Sequence, residues 1–283
     1  MEGEMEKSEN EAVASQKEEK FGKDALLVAG AVLLASLIIA GAIIAGAQRF
    51  SLVGSTSNTN TDVVTDDTTA PAPTTVTVDQ VKALFNKDNI VFGNKDSKVL
   101  FVEFSDPSCP YCHVAAGKNP NLNKQIGAQF TLAQDGGTYV PPVPEMKKLV
   151  DAGKAVFVWL YANGHGNGEM GTKAMYCAYE KKKFWEAHDL LMSEAGYTLL
   201  NTTVKNDKTK YGVMADFLKN VVSAKDMQTC LESGKYDKRI TYDMAIARQF
   251  GFSGTPSFFV NAENFKGAYS FKDMQASIDK YLQ

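Results

Sequence analysis

Cysteine is scarce in this chain of 283 residues, and positive charge is not in excess. Four cysteines are too few for a small scaffold held together by disulfides, and too few for paired CxxC zinc half-sites. The formal net charge is −3, so no basic surface argues for nucleic acid as a partner. The sequence also lacks nucleotide, flavin and haem motifs, and its histidines are not at metal-ligand spacing. We therefore expect no cofactor and no metal.

The composition is that of a globular protein, with 44% hydrophobic and 22% charged residues. The charge is unevenly distributed along the chain. Residues 1–24 hold 4 Lys against 8 Asp and Glu, whereas residues 79–283 carry a net charge of +3. The latter segment also contains all four Cys, both Trp and all three His. Functional side chains are therefore expected in residues 79–283.

The longest hydrophobic run, Ala25 to Ala47, has 23 residues and no charge. As a helix it would measure about 35 Å, enough for a hydrocarbon core about 30 Å thick. It is too long for the apolar region of a cleaved signal peptide, and it has no polar face as a core helix would. Residues 25–47 are therefore predicted to form one transmembrane helix in the cell membrane.

Lysine and arginine predict the orientation of this helix. Four lysines precede it, and Arg49 is the only cation between it and Lys82. Residues 1–24 are therefore expected to be a disordered cytoplasmic tail, with the C-terminal domain outside the cytoplasm. Residues 48–78 are predicted to be a flexible tether, because Ser51 to Val78 is rich in Ser, Thr, Asp and Pro and has no aromatic residue.

Strand and helix patterns alternate in residues 79–283. The apolar runs of strand length are Val99–Phe104, Ala155–Ala162 and Ser257–Val260. Helical patterns cover Met175–Met192, Gly212–Val222, Lys225–Ser233, Tyr236–Phe250 and Phe271–Leu282. This alternation predicts an α/β sandwich with an inserted helical subdomain at about 163–250. Asn163 to Gly168 lacks the phosphate-loop pattern and is predicted to be a flexible turn.

The chemistry is expected at Cys109-Pro110-Tyr111-Cys112, which follows a predicted strand and a short turn and precedes a predicted helix. The free N–H groups and positive dipole end of a helix stabilise a thiolate at its first sulfur. The second cysteine, one turn further on, is close enough to resolve a mixed disulfide. Half of a zinc site is the alternative, but Cys177 and Cys230 stand alone and supply no second half.

Three segments in order resemble the thiol:disulfide interchange proteins of the DsbA family: EFSDPSCPYC, KKKFWEAHDLL and GFSGTPSFFVN. The resemblance covers residues 88–283. It implies a thioredoxin-like fold interrupted by a helical insertion, and membrane-anchored members of this family are common. It also implies that Cys109 is the nucleophile and Cys112 the resolving thiol.

The same resemblance implies roles around the cysteines. Thr255 and Pro256 match the family's loop with a cis proline, which faces the disulfide and binds a substrate strand. Pro110 and Tyr111 form the dipeptide that tunes the redox potential and faces the substrate. Glu103 matches a buried acid that would accept a proton from Cys112. The alternative for Glu103 is an ordinary strand residue that faces water.

Other residues allow two interpretations each. Cys177 and Cys230 match positions of a second disulfide in some family members, but they could equally be buried free thiols. His113 could add positive potential or could face solvent. Asn119 to Pro142 interrupts the first helix of the family pattern. It is either a surface excursion or a segment that shapes the choice of partner.

The expected activity is thiol–disulfide exchange on exported thiol-containing proteins, chiefly to form their disulfides, with a membrane redox partner that reoxidises the cysteine pair. One alternative is an isomerase or reductase of the same fold, because a Pro-Tyr dipeptide with Thr before the cis proline also occurs in such relatives. A binding or chaperone module without redox turnover is the other alternative.

Overall fold

The computed structural model describes residues 75–283. The predicted tail, the predicted transmembrane helix at 25–47 and nearly all of the predicted tether lie outside these residues. Between residues 75 and 283, no helix is long and apolar enough to cross a bilayer.

Within residues 75–283, the strands form one mixed five-stranded sheet in the order β1-β3-β2-β4-β5. They are β1 (Ile90–Gly93), β2 (Val99–Ser105), β3 (Ala155–Tyr161), β4 (Ser257–Val260) and β5 (Glu263–Lys266). β2 and β3 run parallel, while β1, β4 and β5 are each antiparallel to their neighbours.

Helices cover both faces of the sheet. The α-helices of residues 75–283 are α1 (Val78–Ala83), α2 (Pro110–Ala116), α3 (Pro120–Ile126), α4 (Pro142–Asp151), α5 (Glu169–Glu180), α6 (Phe184–Leu191), α7 (Glu194–Thr198), α8 (Tyr211–Phe217), α9 (Ala224–Glu232), α10 (Asp237–Gln249) and α11 (Phe271–Leu282). Helices α5 to α10 lie between β3 and β4 in the chain, where the sequence predicts a helical insertion.

The two central strands form the core of the sheet. Every residue of β2 and β3 is buried, because each strand has a neighbour on both sides and helices on both faces. Alternate side chains enter two separate apolar clusters, one containing Phe101 and Trp159, the other Val102 and Val158. The predicted α/β class and its three apolar strands are confirmed.

Some elements differ from the prediction. β1 and β5 were not predicted, because each has only four residues and is only partly buried. The folded part also begins within the predicted tether. Thr77 caps α1 by accepting a hydrogen bond from the backbone N–H of Gln80, and the Gln80 side chain accepts one from the N–H of Thr77.

The predicted helical segment Met175–Met192 is two helices. α5 ends at Glu180, and Lys182 has φ 58°, in the left-handed region that an α-helix cannot continue through. α6 then starts at Phe184. Apolar spacing continues across the break because both helices pack on the same core, so the sequence pattern does not reveal it.

Candidate active site

Cys109 lies where the chain leaves β2 and enters α2. It is the N-cap residue of α2, and Pro110 occupies the first helical turn. The residue is 5% exposed. The hydrogen bond from the Cys112 thiol lowers the pKa of Cys109 to about 6, and the backbone N–H groups of Cys112 and Tyr111 act in the same direction, against the effect of burial. Cys109 is therefore largely a thiolate at neutral pH.

Cys112 has the opposite environment. It is fully buried, and burial raises the pKa of its thiol well above the usual range. Its Sγ accepts a hydrogen bond from the backbone N–H of Asp106 at 3.4 Å. Both Cys109 and Cys112 are free thiols in the structure. Since thiolate is the attacking species in disulfide exchange, Cys109 is the more reactive of the two sulfurs.

The Thr255–Pro256 segment faces Cys109 across the sheet edge. Its peptide bond is cis. Cys109 Sγ lies 3.4 Å from the Thr255 carbonyl oxygen, to which it donates a hydrogen bond in its protonated form, so this backbone lies against the reactive sulfur. Tyr111, by contrast, is 45% exposed and stands at the surface beside the cysteines.

Glu103 is fully buried near the middle of β2, in register with Trp159 on β3 and Phe258 on β4. Neither carboxyl oxygen has a hydrogen-bond partner among the residues that the structure describes. Burial raises the pKa of Glu103 to about 7, although nearby His188 acts in the opposite direction. The water-facing alternative for Glu103 is therefore wrong, and the side chain can gain or lose a proton near neutral pH.

Asp106 is a site residue that the sequence analysis missed. It is fully buried, and its carboxylate accepts hydrogen bonds from Ser108 and from the Gly164 and His165 backbone. The only sequence signal was an Asp two residues before a Ser in a turn, which favours a local side-chain to backbone bond. Its bonds to residues 164 and 165 have no local signal.

His113 is fully buried, so the solvent-facing interpretation is wrong. Its ring nitrogens lie 2.7 Å from the Met192 carbonyl oxygen and 2.8 Å from that of Pro107. Burial lowers the pKa of His113 to about 4, while the contacts with the Pro107 and Met192 carbonyls act in the opposite direction. Met192, also missed by the sequence analysis, belongs to one buried apolar cluster with both cysteines and Ala116.

Cys177 and Cys230 form a disulfide that joins α5 to α9, at a sequence separation of 53. Neither cysteine is placed with Cys109 and Cys112, which pack in a different apolar cluster. This second pair is therefore part of the helical insertion rather than of the reactive centre.

The Asn119–Pro142 segment packs beside the site. Gly117 caps the C-terminal end of α2, and its φ of 65° and close approach to Pro141 suit glycine. Within the segment, the Phe130 ring contacts the exposed Tyr111 ring at 5.9 Å between centroids. The Val140 carbonyl accepts a hydrogen bond from the Phe271 N–H at 2.8 Å, at the start of α11. The segment is thus anchored to the domain and adds an aromatic ring next to Tyr111.

Comparison with known proteins matches this architecture. The family model described as Thioredoxin matches residues 144–280, which include Thr255 and Pro256 but not Cys109 and Cys112. The crystal structure of alpha-DsbA1 from Wolbachia pipientis aligns with a TM-score of 0.51 and 17% sequence identity, over 71% of this chain and 96% of that chain.

Curated relatives match with similar identities. The Na⁺/H⁺ antiporter NhaA 3 of Salinispora tropica is 26% identical over 191 residues, which is 66% of this chain and 24% of the antiporter. A predicted protein-disulfide oxidoreductase of Rickettsia bellii is 24% identical over 199 residues, 70% of this chain and 66% of that protein. The chain thus spans about a quarter of the antiporter and slightly under two thirds of the oxidoreductase.

The described residues have a thioredoxin-like fold. Within that fold class, the chain's likeness is to proteins of the DsbA type.

The first prediction concerns the source of the low pKa of Cys109. Cys112→Ala removes the thiol that donates to Cys109, so the pKa of Cys109 should rise from about 6 towards the free-thiol value of about 8.5. Cys112→Ser keeps a donor and should retain most of the lowering. The measurement is the rate of iodoacetamide alkylation against pH, with the labelled cysteine mapped by mass spectrometry. Equal pKa values in the two variants would contradict this account.

The second prediction concerns Glu103 and the pH dependence of stability. In the unfolded chain this carboxyl ionises near pH 4.5, but in the folded protein near pH 7. The folded state therefore holds one more proton between these values, and its stability falls as pH rises from about 4.5 to about 7. Glu103→Gln should remove this fall and be more stable than the parent above pH 7, by on the order of 3 kcal/mol.

Urea unfolding at several pH values measures this difference, with all cysteines in the same redox state in each variant. Glu232→Gln, at an exposed position of α9, is the matched control and should follow the parent curve. Parallel pH profiles for Glu103→Gln and the parent protein would show that Glu103 is not buried as an acid of raised pKa.

Proposed function

We propose that the protein is a thiol:disulfide oxidoreductase that acts by exchange at Cys109 and Cys112. The observation that carries this proposal is the contrast between two adjacent thiols. The pKa of Cys109 is lowered to about 6, whereas burial raises the pKa of Cys112 well above the usual range. A redox centre needs this asymmetry, because one sulfur must exchange with the substrate while the other stays out of reach.

The proposed reaction starts from the Cys109–Cys112 disulfide. A substrate thiolate attacks Cys109 Sγ, the Cys109–Cys112 bond breaks, and Cys112 leaves with the electron pair and takes up a proton. A second substrate thiolate then attacks the substrate sulfur of the mixed disulfide and releases Cys109 as a thiolate. The substrate has lost two electrons and gained a disulfide, and the enzyme holds the reduced pair.

We assign Glu103 the proton transfer that Cys112 requires. The pKa of Glu103, raised to about 7 by burial, lets it give or accept a proton near neutral pH. Thr255 and Pro256 are proposed to bind the substrate strand, since the Thr255 carbonyl is already in contact with Cys109 Sγ. Pro110 and Tyr111 border the same sulfur, and Tyr111 is exposed enough to touch a substrate.

The proposed direction is disulfide formation. A lower pKa stabilises the reduced pair and makes the disulfide a stronger oxidant. With a Cys109 pKa of about 6, the site falls between thioredoxin, whose corresponding pKa is about 7, and DsbA, at about 3.5. Isomerase or reductase action would use the same sulfurs with electrons supplied to them, and the reduction potential distinguishes these cases.

The proposed location is the outer side of the cell membrane, with residues 25–47 as a single transmembrane anchor and the N-terminus in the cytoplasm. The uncharged 23-residue run and the four lysines before it support this orientation. The Cys177–Cys230 disulfide fits an oxidising compartment. The proposed partners are exported thiol-containing proteins and a membrane redox protein that reoxidises the pair.

The third prediction tests the two cysteine roles in cells. Cys112→Ala should accumulate mixed disulfides between Cys109 and substrate proteins, because the Cys109 thiolate can still attack a substrate disulfide and no second enzyme thiol is left to break the mixed disulfide that forms. Cys109→Ala should accumulate few or none. Diagonal gel electrophoresis, run non-reducing and then reducing, measures both. If the Cys109→Ala variant formed the trapped complexes, the assignment of the attacking sulfur would be reversed.

The fourth prediction tests location. Protease added to intact cells, with any outer barrier opened, should degrade residues 79–283 and spare the N-terminal tail. Antibodies against each end of the chain follow the two parts. Protection of the CPYC domain until the membrane is lysed would place it in the cytoplasm and contradict the proposed orientation.

A further inference from the structure

The carboxylate of Asp106 has a complete set of donors inside the protein. Its Oδ1 accepts from the Ser108 N–H at 2.8 Å and from the Ser108 hydroxyl at 2.7 Å. Its Oδ2 accepts from the Gly164 N–H at 2.9 Å and from the His165 N–H at 2.8 Å. Buried carboxylates are costly unless donors surround them, so this arrangement stabilises one position for residues 164 and 165. The predicted flexible turn at Asn163–Gly168 is instead tied to the active-site turn.

The backbone of Asp106 is joined to both reactive cysteines. Its N–H donates to Cys112 Sγ at 3.4 Å, and its carbonyl accepts from the Cys109 N–H at 2.9 Å. Asp106 therefore contacts Cys112 and Cys109 through its main chain, and the loop at residues 164 and 165 through its side chain.

Gly164 connects that loop to the segment opposite Cys109. A Cβ atom at Gly164 would lie 1.7 Å from Oγ1 of Thr255, so the backbone at 164 packs directly on the Thr255 side chain. Gly168 approaches from the other end, where a Cβ atom would lie 1.8 Å from Asp106 Oδ1. Only glycine permits both approaches at these distances.

The contacts close into a ring. The Asp106 carboxylate accepts a hydrogen bond from the Gly164 N–H, and Gly164 packs on Thr255. The Thr255 carbonyl oxygen lies 3.4 Å from Cys109 Sγ, and the Cys109 N–H donates to the Asp106 carbonyl. Displacing Gly164 would therefore change the position of the Thr255 backbone relative to Cys109 Sγ.

We propose that Asp106 is a positioning residue for polypeptide substrates: through Gly164 it holds the Thr255–Pro256 segment at the distance from Cys109 that a bound substrate strand requires. This inference rests on the proposed function. A small dithiol needs only access to a sulfur atom, whereas a polypeptide must also lie along the Thr255 backbone. Loss of the Asp106 carboxylate should therefore slow exchange with polypeptides much more than exchange with small thiols.

The test uses the full-length oxidised protein and two reductants, dithiothreitol and a reduced peptide with two cysteines. Second-order rates are measured for each with the folded protein. In Asp106→Asn, the side-chain NH₂ group replaces one carboxylate oxygen and cannot accept a hydrogen bond. The two donors that bind that oxygen, either those of Ser108 or those of residues 164 and 165, therefore lose their acceptor. The peptide rate should fall about tenfold or more, as expected for misplacement of a binding element, while the dithiothreitol rate stays within about threefold.

Gly164→Ala tests the same path with the carboxylate intact. Its Cβ atom must displace Thr255 or residue 164, so it should also lower the peptide rate selectively. Combined with Asp106→Asn, its effect should be less than additive, because both changes act on one connection. In a Thr255→Ala background, which lacks Oγ1, Gly164→Ala should cost less than in the parent protein. Asp216→Asn and Gly212→Ala, both in α8, are the matched controls and should leave both rates unchanged.

Equal losses with dithiothreitol and peptide, or an unchanged peptide rate, would overturn the proposal. Additive effects of Asp106→Asn and Gly164→Ala would overturn it as well. If Asp106→Asn does not fold, Gly164→Ala provides the test. The proposal then requires that this change lowers the peptide rate selectively, and that it lowers it less in the Thr255→Ala background. Failure of the parent protein to exchange with either reductant would instead refute the proposed function.

Discussion

The active site depends on the opposite environments of two neighbouring thiols, those of Cys109 and Cys112. Cys109 is at the start of α2, where the Cys112 thiol and backbone N–H groups can donate to it, and its pKa is lowered to about 6. Cys112, one turn further, is fully buried, and the pKa of its thiol is raised. A single helical turn thus separates a stabilised thiolate from a protected thiol, and this difference makes ordered exchange chemically reasonable.

The rest of the domain maintains that difference. The central strand β2 delivers the chain to the turn before Cys109 and carries Glu103 in the core. Met192, at the end of α6, packs in the same apolar cluster as both cysteines. Asp106 holds the turn itself, and its bonds to the loop after β3 connect the turn with Thr255. Elements far apart in the chain are therefore needed to define the surroundings of two sulfur atoms.

Features with a local signal could be predicted from the sequence. β2, β3 and β4 are uninterrupted apolar runs because they are buried on both faces, and the CPYC spacing places both sulfurs on one helical turn. Contacts across long stretches of chain have no local signal. The contact between Asp106 and Gly164, across 58 positions, was not predicted, and the approach of Thr255 to Cys109, across 146, was expected only from the family resemblance. The split between α5 and α6 was missed because both helices pack on the same core, so the apolar spacing continues across the break. The predictions for residues 1–74, including the transmembrane helix, concern a part of the chain outside the described residues.

The central claim is that Cys109 and Cys112 form a reversible redox pair poised by the low pKa of Cys109. Equilibrium titration of the full-length protein against glutathione, with alkylation and mass spectrometry of each cysteine, tests this most directly. The account predicts that this pair titrates reversibly as one two-electron couple, while Cys177 and Cys230 stay oxidised. The midpoint should lie between the values of thioredoxin and DsbA, about −270 and about −120 mV. A pair that does not form a disulfide reversibly, or a midpoint below that of thioredoxin, would contradict it.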